Sequence, residues 1–353
     1  MSSPRLVPTS DPALWDRVVR SLPQHTQFHT WDWLQLVQRL LHVRVDHLLV
    51  VDDGAPVGVL PVVRGARPGL VAPGMPFPYL GPLVPDALLG GTVRAFRAWQ
   101  LRHGVAFAVF DLPPGVEGEA ALTAAGASAR VTSTVVVDLP AEEGALVERY
   151  SSMRRRSLRR AEKAGARVVP AAPGDVAAVL DGVLEQAYEA HGVPSPYPTG
   201  TAAIVEDWMA GRDDVFALTA YVGDEPAGVH LVLTGGPRTL SWVVACDRRF
   251  REVGPNAVLY HEALVESVRR GFAQMDLVGR VDDGVARFKT SFGGHEVAYV
   301  AADSFLGPAL LRTSAKRAKA LLRPSRTASA EAAEAAGAPD QPVPSRADEP
   351  AAP

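Results

Sequence analysis

The chain has 353 residues, 47% of them hydrophobic and 21% charged, with a net charge of −3 and a single cysteine, Cys246. That composition suits a folded protein with one large core or two medium ones and excludes a wholly disordered chain. A lone thiol excludes an internal disulfide framework and a cysteine-based zinc or redox motif, and the absence of a signal pattern or of an uninterrupted apolar run of about 18 residues points to a soluble, cytoplasmic protein without a membrane span.

The first informative stretch is residues 45–63 (VDHLLVVDDGAPVGVLPVV). Two apolar runs flank an Asp53-Gly54 turn, a pattern that predicts a β-hairpin. A helical pattern over 91–104 follows, then a strand over 105–111 that ends on Asp111, and another strand over 131–139. Residues 215–233 (VFALTAYVGDEPAGVHLVL) repeat the hairpin, with Gly223-Asp224 at the turn, and are followed by a helix over 256–271 and a strand over 272–276 ending on Asp276. Gly58 and Gly228 lie 170 positions apart and Asp111 and Asp276 lie 165 apart. Two similar offsets imply a duplicated α/β unit, each copy a mixed, mostly antiparallel sheet flanked by helices. The expected division is 1–143 for the first copy, 144–309 for the second, 310–326 for a basic helix and 327–353 for a tail.

The tail is rich in Ala and Pro and carries Glu331, Glu334, Asp340, Asp348 and Glu349 against Arg346 alone. It has too little apolar surface to offset its ordering entropy and is expected to be disordered. An anionic partner would then be met by local basic clusters. One is the run of Arg154, Arg155, Arg156, Arg159, Arg160, Lys163 and Arg167, and the other is the helix at 310–323, which can also touch an anionic membrane surface. The first cluster reads either as a solvated helix face or as a phosphate ligand that follows a nucleic-acid backbone.

Three phrases of the second copy, SMRRRSLRRAEKAG (152–165), ACDRRFREVGPN (245–256) and RFKTSFG (287–293), together with QFHTWDW (27–33) in the first, resemble the Fem family of aminoacyl-tRNA-dependent transferases of peptidoglycan bridge formation and related acyltransferases of the GNAT superfamily. The resemblance runs from about residue 28 to about 299, and it implies two GNAT folds in tandem. The sequence departs from the family in two respects. It lacks the coiled-coil insertion of some members, and Val37 and Gln38 stand where members that bind a nucleotide-linked muramyl peptide carry a Lys.

The resemblance implies an enzyme that forms an amide bond, moving an amino acid from aminoacyl-tRNA to a peptidoglycan-related or other small amine acceptor. The alternative is an N-acyltransferase that uses acyl-CoA. Neither needs a metal or a bound cofactor. Acyl transfer to an amine requires a deprotonated nucleophile and a donor for the developing oxyanion. The resemblance gives the second task to Lys289, whose other reading is a solvated Lys at a strand start. Phe288 either stacks on a terminal adenosine or fills core. Asp276, at a strand end, either binds the acceptor amine or accepts its proton, or else caps the next turn. Asn256 follows REVGP and is either part of an anion loop at a helix N-terminus or an ordinary N-cap. Arg155, Arg159 and Lys163 are the residues expected on the donor's phosphates. Tyr188, His191 and Tyr197, with Trp242, either shape the acceptor pocket or, for the first three, are exposed or half-buried residues of a loop, and His230 reads as a satisfied sheet histidine.

Overall fold

A computed structural model describes residues 4–65, 71–72, 78–190, 200–279 and 283–306, with side chains throughout except at 71–72 and 184–190. His191 and Tyr197, the side chain of Tyr188, the basic segment at 310–326 and the tail lie outside the described residues.

The first half runs β1 (Arg5–Pro8), α1 (Pro12–Arg20), α2 (Trp31–Leu41), β2 (Arg44–Asp52), β3 (Ala55–Arg64), β4 (Val71–Ala72), α3 (Asp86–His103), β5 (Phe107–Asp111), α4 (Glu119–Ala124) and β6 (Ser128–Asp138). The second runs α5 (Leu146–Arg149), α6 (Ser152–Lys163), β7 (Ala166–Pro170), α7 (Asp175–Ala190), α8 (Thr201–Met209), β8 (Val215–Val222), β9 (Glu225–Leu233), β10 (Thr239–Cys246), α9 (Pro255–Arg269), β11 (Gln274–Asp276), α10 (Asp283–Thr290) and β12 (His295–Phe305).

Both hairpins form where their turn residues place them. Asp53 and Gly54 have φ of 47° and 83°, so the first is a two-residue turn with both central residues left-handed; the second has only Gly223, at 61°, in that region. Those are the signatures of the two turns whose twist suits a hairpin. The duplication extends to an irregularity. In the first hairpin Val50 pairs with Gly58 and Val51 with Pro56, and in the second Ala220 pairs with Gly228 and Tyr221 with Pro226. Each pairing skips one residue at positions 170 apart, so both copies keep the same β-bulge. The glycine beside it is needed for space: a Cβ on Gly58 would lie 2.5 Å from the Leu83 carbonyl oxygen, and one on Gly228 2.6 Å from Cys246 Sγ.

The copies do not remain separate in space. One nine-stranded sheet has the order β4-β5-β12-β6-β11-β10-β9-β8-β7, beside a three-stranded sheet β1-β2-β3. Among the described strands only β10/β11 and β4/β5 are parallel. β12, from the end of the second half, lies between β5 and β6 of the first, and β6 in turn pairs with β11. The strands of the two halves are thus interleaved in three dimensions, which leaves β5, β6 and β11 paired on both sides. One core cluster draws on both halves, with Trp15, Phe28 and Trp33 packed together with Leu231, Leu233 and Leu240.

Candidate active site

β10 and β11 pair at only two positions, Thr239 with Met275 and Leu240 with Asp276. β10 then continues to Cys246, with its register against β9 shifted between Ser241 and Val243, while β11 ends. The two parallel strands therefore part at Asp276, and the fork lies where ligands enter α/β sheets, at the carboxyl ends of parallel strands.

Asp276 is fully enclosed, and its carboxylate is held by three donors. Tyr79 Oη donates at 3.0 Å, Thr134 Oγ1 at 2.5 Å and the Val278 N–H at 2.8 Å. Burial raises the Asp276 carboxyl above the usual range, against the pull of those donors. Tyr79 reaches it from the first half, with a left-handed backbone (φ 68°) and its ring edge-on to Tyr299 at 5.1 Å.

The chain after Asp276 turns through Val278 and Gly279, both left-handed at 47° and 80°. For a β-branched residue such as Val278 that conformation is strained. Lys289, from α10, holds it: Nζ donates at 2.8 Å to the carbonyl oxygens of both Val278 and Gly279. Lys289 thus stands within a helix and is 3% exposed, rather than solvated at a strand start. Burial pulls its ammonium down to about 8, and the negative charge of Asp276 opposes that. An ammonium has three N–H bonds, and two of them are used by these described carbonyls.

Phe288 is enclosed in a ring cluster, 5.2 Å from Tyr260 and 5.4 Å from Phe292, with the Arg154 guanidinium over its face. It fills core here. Behind the fork, His230 is 0% exposed, with Nε2 2.9 Å from Ser241 Oγ and Nδ1 3.3 Å from the Leu259 carbonyl. Burial lowers its pKa to about 3, so it is neutral.

Asn256 is not the N-cap of α9. Gly254 is, at φ 81°, and Pro255 follows it. Asn256 stands one residue further on, buried, with its Oδ1 accepting no hydrogen bond among the described residues. Trp242 is half-buried on the opposite face of β10, edge-on to Trp33 at 4.8 Å and Trp208 at 6.1 Å.

The basic run forms α6 as far as Lys163, capped by Ser151, with Arg167 in β7. Arg156, Arg159, Arg160 and Lys163 are exposed, and Arg160 reaches Gly254 at the start of α9. Arg155 differs: its Nη1 donates to the carbonyls of Glu148 and Tyr150, fixing the entry to the helix. No group of three or more His, Cys, Asp or Glu side chains suited to a metal occurs among the described residues.

Asp276 and Lys289, both marked by the sequence, meet at one turn in the structure, whereas the sequence marks neither Tyr79 nor Thr134. Tyr79 sits in a Pro/Gly-rich stretch (PGMPFPYLGP) without periodicity, and Thr134 in an apolar strand, so neither carried a local signal.

Residues 149–290 match the family model of the acetyltransferase (GNAT) domain. In fold the chain is similar to FemX, with a TM-score of 0.65 and 13% identity over 86% of this chain and 98% of that one. It is also similar to a tandem GNAT protein from the clavulanic acid biosynthesis pathway (TM-score 0.55, 14% identity, 88% and 100% covered). A third similar structure is the C-terminal domain of a putative lysylphosphatidylglycerol synthetase from Agrobacterium fabrum (0.55, 12% identity, 88% and 96%). No curated protein sequence matches the chain.

Proposed function

The second half of this chain is a GNAT acyltransferase domain within a Fem-like tandem fold, and from that premise we propose that the enzyme transfers an aminoacyl group from aminoacyl-tRNA to a small or peptidoglycan-related amine. The observation that carries the choice of donor is the solvent-facing row Arg156, Arg159, Arg160 and Lys163, which extends along α6 to the start of α9. Such a row suits a polyanionic backbone. The helix start itself is a poor substitute, because Pro255 removes one of the N–H groups that a pyrophosphate would use.

The amine attacks the ester carbonyl and the carbonyl oxygen becomes an oxyanion. The third N–H of the Lys289 ammonium, fixed by its two carbonyl bonds, stabilises that charge. Asp276 acts through the turn, since its carboxylate holds the Val278 N–H and keeps the carbonyls aimed at Lys289. Collapse breaks the ester C–O bond and leaves the amide, and the departing ribose oxygen takes up the proton that the attacking amine gives up.

A second reading, an acyl-CoA donor, is favoured by the fork between β10 and β11. Transfer from charged tRNA, with and without ribonuclease, against transfer from acyl-CoA separates the two. Ribonuclease-resistant transfer from acyl-CoA would overturn the tRNA assignment. With charged tRNA as donor, the reaction belongs in the cytoplasm.

A further inference from the structure

α6 brings into the second half a charge that no described carboxylate pairs with. Arg154 is 4% exposed. Its Nε donates to Ser291 Oγ at 2.9 Å, and its guanidinium carbon lies 4.2 Å from the Phe288 ring centroid and 4.5 Å from that of Phe292. Among the described residues neither Nη donates a hydrogen bond, and no carboxylate is paired with it. The titratable groups that face it are the hydroxyls of Tyr260 and Tyr150, both raised by burial and so neutral.

A buried guanidinium is ordinarily matched by a carboxylate, because removing its charge from water is costly. Contact with two aromatic faces offsets only part of that cost and uses none of the four Nη hydrogens. Those hydrogens form the planar fork that fits two oxygens of one oxyanion. Positive charge predominates along the same helix, where Arg156, Arg159, Arg160 and Lys163 are exposed beside one carboxylate, Glu162.

We propose that Arg154 is the buried seat of an oxyanion-binding site in the second half that takes a phosphate group, with the exposed basic residues of α6 as its approach. The site is independent of the choice between tRNA and coenzyme A, since both carry phosphate, and it explains why a lone cation is kept between Phe288 and Phe292. Phe288 serves in it as a wall for the guanidinium and not as a platform for a base.

The test is thermal unfolding of the full chain with inorganic pyrophosphate, and with succinate at equal ionic strength, for the wild type, Arg154→Met, Arg154→Lys and the distant control Arg269→Gln. The wild type and the control are expected to show a saturable rise in Tm of several degrees with pyrophosphate and little with succinate. Arg154→Met keeps an unbranched stem between the two rings and removes the unpaired charge. Its Tm without ligand should equal or exceed that of the wild type, and the pyrophosphate response should vanish. Arg154→Lys, with charge but no fork, should respond at lower affinity. Three outcomes overturn the proposal: no pyrophosphate response in the wild type, a larger response to succinate, or an Arg154→Met protein that melts several degrees lower and still responds. The last would make Arg154 a strut for α10. None of these results bears on the transfer assay, so failure here leaves the donor assignment to that experiment.

Discussion

The Tyr79 hydroxyl of the first half donates to the Asp276 carboxylate of the second at 3.0 Å, and both residues are fully buried. The duplicated half thereby completes the shell of a carboxylate at the strand fork. Tyr79→Phe removes one oxygen and leaves that carboxylate with two donors. A buried acceptor losing a partner costs about 1–3 kcal/mol, and denaturant unfolding should show a loss in that range. Turnover should fall further than stability, because the turn that holds Lys289 depends on Asp276. Unchanged turnover would mean that the link between the halves is structural only.

The two glycines beside the matched bulges give a paired prediction. Gly58→Ala and Gly228→Ala each put a Cβ within 2.6 Å of atoms already present. At Gly58 the Leu83 carbonyl, 2.5 Å away, is backbone and cannot swing aside, whereas at Gly228 the nearest atom, 2.6 Å away, is a side-chain sulfur and the Ala245 carbonyl oxygen lies at 2.9 Å. Overpacking costs about 1–3 kcal/mol; Gly58→Ala should fall at the upper end and Gly228→Ala lower. Gly144→Ala, with nothing within 4 Å, should be near neutral. The measurement is the midpoint of chemical unfolding.

How much of this was visible in the sequence follows from what is local. Hairpin turns, the helix ending at Gly104 and the repeat offset depend on neighbours along the chain, and each was legible. The path of β12 between β5 and β6 was not, because its pairing with Val109 and Thr134 is decided by edges more than a hundred residues away. The site divides similarly. Lys289 and Asp276 stand in recognisable phrases, but the burial of Lys289 against two carbonyls depends on a turn at Val278 that no propensity favours. In the sequence Arg154 is one more charge in a basic cluster, and only packing distinguishes it from Arg156.

Lys289 gives opposite pH slopes for stability and activity. Its ordinary value of 10.5 falls to about 8 on burial. Between those values the unfolded chain binds more protons than the folded one, so stability from this group rises with pH across that window and is flat below and above it. Activity that needs the ammonium falls above about pH 8. The stability of wild type minus that of Lys289→Met, followed from pH 7 to 10.5, should therefore climb as wild-type turnover declines. Lys289→Ala should lose most turnover and, by orphaning two carbonyls, about 1–3 kcal/mol or more of stability. Lys289→Arg should rescue poorly, since a planar fork does not replace a point charge. A flat difference curve would show that the amine is not titrating in the fold.

The exposed face of α6 supplies the last prediction. Arg156, Arg159 and Lys163 form no ion pair with described residues and point to solvent, so replacing all three by Glu should change Tm little. Arg155 is left in place because it bonds the carbonyls of Glu148 and Tyr150. If these three side chains neutralise phosphates of a tRNA donor, each contributes about 0.7–0.9 to the slope of log K against log salt. Removing them should then flatten that slope by about 2–3 and raise the donor KM, while kcat at saturating donor falls less. Transfer from acyl-CoA, measured beside it, should respond weakly, because a small donor meets few of these charges. A triple variant with the wild-type salt slope would place the tRNA elsewhere on the protein or remove it from the reaction.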